Sequence, residues 1–198
     1  MSETNTSHKQ VLAFATASDH KLSELRAIIH DYEVKGLVDL GILDDIVENG
    51  HTIEQNAEIK ANYLYEKTGL RSLAEDTGLL VDALNGAPGV HTARYAGDER
   101  SADKNNQKLL HALLNNANRK AHFKTVITLV DKGESHFFIG IVDGIIALAP
   151  AGVGGFGYDP IFIPDGYDLP FASLPSEIKN KISHRSRAVS KLLAFLQK

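Results

Sequence analysis

Two long β-forming runs joined by a tight turn restrict the fold more than any other feature of this chain. AHFKTVITLVD (121–131) and SHFFIGIVDGIIALA (135–149) are dense in β-branched and aromatic residues, which suit a pleated, half-buried surface. DKGE between them reads as a hairpin turn. An antiparallel hairpin this long cannot belong to a purely parallel sheet, yet the rest of the chain alternates strands with helices. VLAFAT (Val11–Thr16) reads as a buried first strand. In SDHKLSELRAIIHDY, Leu22, Leu25, Ile28 and Ile29 recur at helical spacing behind Ser18 or Asp19 as N-cap. EVKGL (Glu33–Leu37) predicts a short strand, and Thr52–Thr68 a helix closed by Gly69. LRSLAED predicts a strand that ends at the acid pair Glu75 and Asp76. GLLVDAL then predicts a short helix, and NGAPG a turn. SADKNNQKLLHALLNNA predicts a helix capped by Ser101 or Asp103, and the tail carries helical spacing at Val189, Leu192, Leu193 and Leu196. The sum is an α/β fold with a mixed, twisted central sheet flanked by helices. With no repeat or linker in sight, residues 11–198 read as a single domain behind a disordered polar tail, 1–10.

Composition narrows the function classes. Of 198 residues none is cysteine, which excludes disulfides and thiolate zinc sites. A formal charge of −4 argues against a general nucleic-acid backbone binder. It leaves room for one small anion in a local basic pocket. No apolar run approaches the ~20 residues of a membrane span. MSETNTSHKQ lacks the apolar core of a secretory signal. A cytoplasmic protein without membrane contact is the expectation.

Five segments carry candidate chemistry. ATASDHK runs from strand to turn to helix start, where free amides attract anions and Thr16, Ser18 and Lys21 add donors; taken alone, the segment reads more simply as an ordinary capped helix with a surface lysine. In EQNAEIKANYL, Asn56 and Lys60 share a helix face. Glu75 and Asp76 can bind a hard cation, most plausibly Mg²⁺, or accept a proton from water, or cap a helix near Gly78. Glu48 in the preceding loop offers a further ligand. AGVGGFGYDPIFIPDGY contains the pattern G-x-G-x-x-G, but Pro160 and Pro164 forbid the helix that a dinucleotide fingerprint requires. The glycines permit close approach to something flat, and Phe156 and Tyr158 beside Asp159 suit a nucleobase. In EIKNKISHRSRA, Lys179, His184, Arg185 and Arg187 cluster around a turn and can bind phosphate or the acceptor edge of a base.

Taken in order, these segments resemble the inosine triphosphate pyrophosphatase family. The resemblance runs from about Val11 to Leu196 and is most specific in DTGLLVDALNGAPGVHTARYAG, GGFGYDPIF and KNKISHRSRA. It implies two lobes around a cleft, a homodimer, and Mg²⁺-dependent cleavage of non-standard purine triphosphates (ITP, dITP, XTP) to the monophosphate and pyrophosphate. By the same resemblance, Thr16, Ser18, Lys21 and Lys60 grip phosphates. Asp76 is general base and metal partner, with Glu48 as a weaker metal candidate, and Thr77 contacts substrate. Phe156, Gly157, Tyr158, Asp159, Lys179, His184 and Arg185 hold the base. Donors near His184 and Arg185 would satisfy the 6-oxo group of hypoxanthine or xanthine, while the amino group of adenine would leave them unpaired. The chain departs from the family at Ser18, usually Asn, at Gln55 and Ser173, usually Glu, and at Val47, commonly an acid. A related pyrophosphatase family acting on dTTP, UTP or modified pyrimidines, and a non-catalytic nucleotide-binding module, are the competing readings.

Overall fold

The expected hairpin forms between β4 (Lys120–Asp131) and β5 (Glu134–Ile146), in continuous register from Lys120↔Ile145 to Asp131↔Glu134. Lys132 and Gly133 both take positive φ, 52° and 81°, the turn geometry whose twist matches the flanking strands. The computed structural model describes residues 9–197. Within them β1 (Gln10–Phe14), β2 (Tyr32–Gly36), β3 (Ser72–Val81) and β6 (Phe162–Pro164) complete a six-stranded sheet in the order β2-β1-β3-β4-β5-β6. The β2–β1–β3 half is parallel and the β3–β4–β5–β6 half antiparallel, so the sheet is mixed as expected. The polar tail expected over 1–10 lies mostly outside the described residues, and Gln10 already belongs to β1.

One local expectation fails. GLLVDAL is not a helix: β3 continues through it to Val81 and pairs with β4 at every residue from Ser72 to Val81. Only Asp82–Leu84 adopts a single 3-10 turn. Ten ladder pairs to a long neighbour outweigh the weak local preference of a short apolar run. The acid pair therefore sits inside a strand, and no helix starts near Gly78 for either acid to cap.

Helices cover the two faces unequally. α1 (Asp19–Arg26) and α5 (His184–Leu196) pack Leu22, Leu25, Val189 and Leu192 on the face that carries Leu73, Ile127 and Phe138. α3 (Ala102–Ala112) contributes Leu109 to the continuation of this core around Leu79, Phe123 and Phe162. α2 (Ile53–Thr68) packs Ala57, Ala61 and Leu64 on the opposite face, against Ala74, Val126 and Val130. Its ends are as read: Thr52 and Gln55 form a capping box, and Gly69 closes the helix at φ 66°. The departure at Gln55 thus serves as a helix cap. α4 (Ser176–Ile182) meets α5 at Ser183, which N-caps α5.

α5 rests on β5 at a glycine. A Cβ on Gly140 would lie 1.9 Å from the carbonyl oxygen of His184 and 2.6 Å from the amide nitrogen of Ala188. Backbone cannot yield there without lifting the helix. Gly140→Ala is expected to destabilise the protein by about 1–3 kcal/mol, read as a lower urea midpoint. An unchanged midpoint would show that α5 shifts on β5 at no cost.

Candidate active site

β1 outlasts neither of its neighbours' needs: it pairs with β3 only at Ser72 and Leu73, and the last bond across is Ala15 N–H to Leu73 O at 2.8 Å. Beyond that point the β3 edge opens. The chain leaves β1 for α1 on one face and leaves β2 for α2 on the other, so a crevice forms between the diverging loops at the strand ends. Thr16, Ser18 and Lys21 line it from one side and Asp44, Asp45 and Glu48 from the other. Lys60, Glu75 and Arg100 complete a cavity of about 300 Å³. Thr16 and Ser18 shape the turn: Ser18 N–H donates to Thr16 Oγ1 at 3.1 Å, and Ser18 Oγ accepts from Lys21 N–H at 3.4 Å.

Adjacent residues on a strand face opposite ways, which splits the acid pair. Asp76 turns toward α2, where Lys60 Nζ lies 3.1 Å from Oδ1 and 3.2 Å from Glu48 Oε1. Burial pushes the Asp76 carboxyl above its ordinary pKa; the Lys60 ammonium opposes the rise and the Glu48 charge adds to it. Glu75 turns toward α1 and α5. Arg185 donates from Nε at 3.1 Å and from Nη2 at 2.8 Å, and Lys21 Nζ lies 3.4 Å away. Burial alone would raise Glu75, which is 7% exposed, but the charges of Lys21 and Arg185 outweigh it and hold the pKa at about 2. Glu75 is thus an ion-pair anchor at the edge of the first cavity.

A second cavity, about 450 Å³, lies along α5 and is lined by Phe156, Lys179, His184 and Arg185 among others. The ISH turn makes Lys179 and His184 converge, as their spacing required. Phe156 is 57% exposed, with Lys179 Nζ 4.6 Å and the Arg185 guanidinium carbon 5.7 Å from its ring centre. His184 is buried; its ring stacks on Phe123 and its Nδ1 lies 2.6 Å from Thr125 Oγ1. Burial first, then the neighbouring Arg185 charge, holds its pKa down at about 3. The Glu75–Arg185 pair joins the two cavities.

Several expected residues take other work. Tyr158 is 2% exposed, sits in the core and donates to the Thr92 carbonyl at 2.9 Å, so it offers no ring face to a ligand. Asp159 is buried and accepts from Lys179 Nζ at 2.5 Å and Phe156 N–H at 2.6 Å. The Gly157 carbonyl accepts from Asn106 at 3.0 Å. Arg187 donates to the Ile141 carbonyl at 2.7 Å, away from the second cavity's lining. Thr77 bonds Thr125 at 2.7 Å. Sequence reasoning missed Arg100, which lies in an aperiodic loop at φ 52°, and Thr125, which looks like any strand threonine.

The Glu75 ion pairs predict a pH signature. A carboxyl held at about 2 against an ordinary 4.5 contributes stability that is complete above pH 4.5 and is lost as pH falls toward 2. That loss amounts to roughly 3 kcal/mol. Glu75→Gln is expected to remove this slope and, by leaving the half-buried Arg185 with Glu24 as its remaining carboxylate, to destabilise the protein at pH 7 by about 3 kcal/mol. Denaturation across pH 2–7 tests both; identical slopes in the two proteins would disprove the assignment.

Comparison with known proteins agrees with the resemblance read from the sequence. The Ham1 family model matches residues 12–195. The chain is 50% identical over 187 residues to the dITP/XTP pyrophosphatase of Porphyromonas gingivalis, spanning 93% of this chain and 96% of that protein. It is 48% identical over 186 residues to the dITP/XTP pyrophosphatase of Flavobacterium johnsoniae, spanning 93% and 97%. Among solved structures, the Staphylococcus aureus Ham1 protein superposes with a TM-score of 0.92 at 39% identity, covering 95% of this chain and 98% of that one. A match of this extent in sequence and in fold means that the chain belongs to the Ham1 family.

Proposed function

We propose that the protein hydrolyses non-standard purine nucleoside triphosphates, ITP, dITP and XTP, to the nucleoside monophosphate and pyrophosphate. The observation that carries this reading is the joining of two cavities by one ion pair. One cavity bears Lys21, Lys60 and Arg100 beside carboxylates, which suits a triphosphate; the other bears an exposed aromatic ring among cations, which suits a base. Relatives about half identical over nearly the whole chain carry the name dITP/XTP pyrophosphatase.

The donor set fits Mg²⁺. Asp76 and Glu48 both reach the same ammonium, so their carboxylates stand close together. Two carboxylates, waters and substrate phosphates are the ligands this ion ordinarily takes. Bound there, it would neutralise phosphate oxygens and polarise the α-phosphoryl group. The chain's own groups do the rest. Lys21, Arg100 and the Thr16–Ser18 turn hold the phosphates. Asp76, held in place by Lys60, takes a proton from the water that attacks the α-phosphorus. Lys60 fixes the Asp76 carboxylate and balances charge developing on the phosphoryl oxygens. Pyrophosphate leaves. Phe156 stacks on the base, and the N–H groups that Lys179 and Arg185 do not spend on Asp159, Glu75 and Glu24 face the 6-oxo group.

In this reading the chain from residue 11 onward is one catalytic domain of two lobes, working as a homodimer in the cytoplasm without nucleic-acid or membrane partners. The exposed stripe of Phe137, Ile141 and Ile145 on β5 supports the dimer. No helix among the described residues is long and apolar enough to cross a membrane.

Pyrophosphate release from a nucleotide panel with and without Mg²⁺ tests the function. ITP, dITP and XTP are expected to exceed ATP and GTP by at least tenfold in kcat/KM, with turnover dependent on the ion. Preference for dTTP or UTP would favour the pyrimidine reading, and calorimetric binding without product the non-catalytic one. Asp76→Asn is expected to lower kcat by about 10²–10⁴-fold while nucleotide binding persists; near-full activity would remove Asp76 from the base role.

A further inference from the structure

A chain of hydroxyls links the buried Glu75 carboxylate to the His184 ring. Thr77 Oγ1 lies 3.4 Å from Glu75 Oε1, Thr77 and Thr125 hydroxyls lie 2.7 Å apart, and Thr125 Oγ1 lies 2.6 Å from His184 Nδ1. Each hydroxyl has one proton to give, so the chain can run in only two directions. We propose that Glu75 sets this direction, holding the His184 proton on Nδ1, so that His184 meets the base as an acceptor at Nε2.

The argument is one of proton accounting. Glu75 is clamped by Arg185 and Lys21 and is an acceptor only. Thr77 must therefore donate to Glu75, since the reverse order sets an oxygen lone pair against a carboxylate. Thr77 then has only lone pairs for Thr125, so Thr125 donates to it. Thr125 in turn has only lone pairs for His184, whose Nδ1 must carry the proton. Thr125 is fully buried, so no bulk water supplies an alternative. The depressed pKa of His184 is consistent with a neutral ring. Nε2 is then the ring's unprotonated nitrogen, in a residue that lines the cavity assigned to the base.

The consequence rests on the nucleotide reading above and deepens it. A 6-oxopurine carries a proton at N1 and adenine does not. An acceptor at Nε2 pairs with that N–H, while Arg185 and Lys179 serve the neighbouring oxygen. In this scheme His184 pairs with N1–H, and the donors to the 6-oxo group are its neighbours Arg185 and Lys179. Adenine would face lone pair with lone pair at N1 and donor with donor at position 6. Glu75, Thr77 and Thr125 are positioning residues in this scheme, and His184 is the one that reads the base.

Long-range ¹H–¹⁵N NMR on the nucleotide-free protein at neutral pH reports the tautomer directly. Wild type is expected to show His184 as a single Nδ1–H form, and Thr125→Val, which keeps the shape and removes the hydroxyl, a mixture with Nε2–H. In turnover, Thr125→Val is expected to raise KM for ITP five- to tenfold with kcat within twofold of wild type, and Thr125→Ser to restore both readouts. A wild-type Nε2–H form, or a tautomer unmoved in Thr125→Val, would overturn the relay. An unchanged KM in Thr125→Val would overturn the base reading. The NMR readout needs no nucleotide, so a protein that hydrolysed nothing on the panel would sink the proposed function while the spectrum still decided the relay.

Discussion

Neighbouring residues of a strand face opposite sides of a sheet, and here that rule acts on two adjacent carboxylates. Because β3 runs unbroken from Ser72 to Val81, Glu75 and Asp76 can never share a ligand from the same side. One meets α2, the other α1 and α5. Each face then has its own electrostatic problem. On the α2 side burial raises Asp76 above its ordinary pKa, and the single ammonium of Lys60, shared with Glu48, does not bring it back. On the other side Lys21 and Arg185, the latter shared with Glu24, together outweigh burial and leave Glu75 far below its ordinary value. Two identical functional groups, one residue apart, end with opposite proton affinities. The asymmetry comes from helix placement and not from the acids.

The Glu75–Arg185 pair spans 110 positions of sequence. A buried ion pair is weak evidence of net stability, because desolvation offsets much of its attraction. What it supplies here is position. Arg185 stands in the first turn of α5, whose path over β5 is fixed by the close approach at Gly140. Glu75 draws that turn toward β3 and at the same time holds Lys21 from α1. The two cavities are therefore set at a fixed spacing by one carboxylate.

Much of this was legible from the residues. The hairpin, the Gly69 cap of α2, the mixed sheet and the convergence of Lys179 with His184 all follow from periodicity, turn chemistry and charge. The failures share a cause. GLLVDAL alone suggests a helix because a short apolar run carries no period of its own, and only the partner strand β4 decides it. Tyr158 beside glycine suggests a base-facing ring, but its hydroxyl bonds Thr92, 66 residues away, and the ring is buried in the core. Arg100 and Thr125 were invisible because neither belongs to a pattern. Their surroundings exist only once β3, β4 and the loops of the crevice have come together. Sequence reads local rules well and reads long-range partners only where charge or hydrophobic period announces them.

The glycine run Gly152–Gly157 illustrates the same limit from the other side. It is not a dinucleotide fingerprint, and Pro160 and Pro164 said so. The expectation that its glycines make room for a flat ligand is also too simple. A Cβ on Gly152 would lie 2.4 Å from the Ala172 carbonyl carbon, and one on Gly155 would lie 2.2 Å from Asp159 Oδ2. Both positions also have positive φ, 84° and 76°. The close approaches are to the protein itself. They let the loop fold over Asp159, whose carboxylate takes the Phe156 amide and the Lys179 ammonium together. That fold is what leaves the Phe156 ring exposed with a cation above it. Gly152 and Gly155 thus shape the loop that leaves the Phe156 ring exposed, and the space beside them is filled by the protein itself.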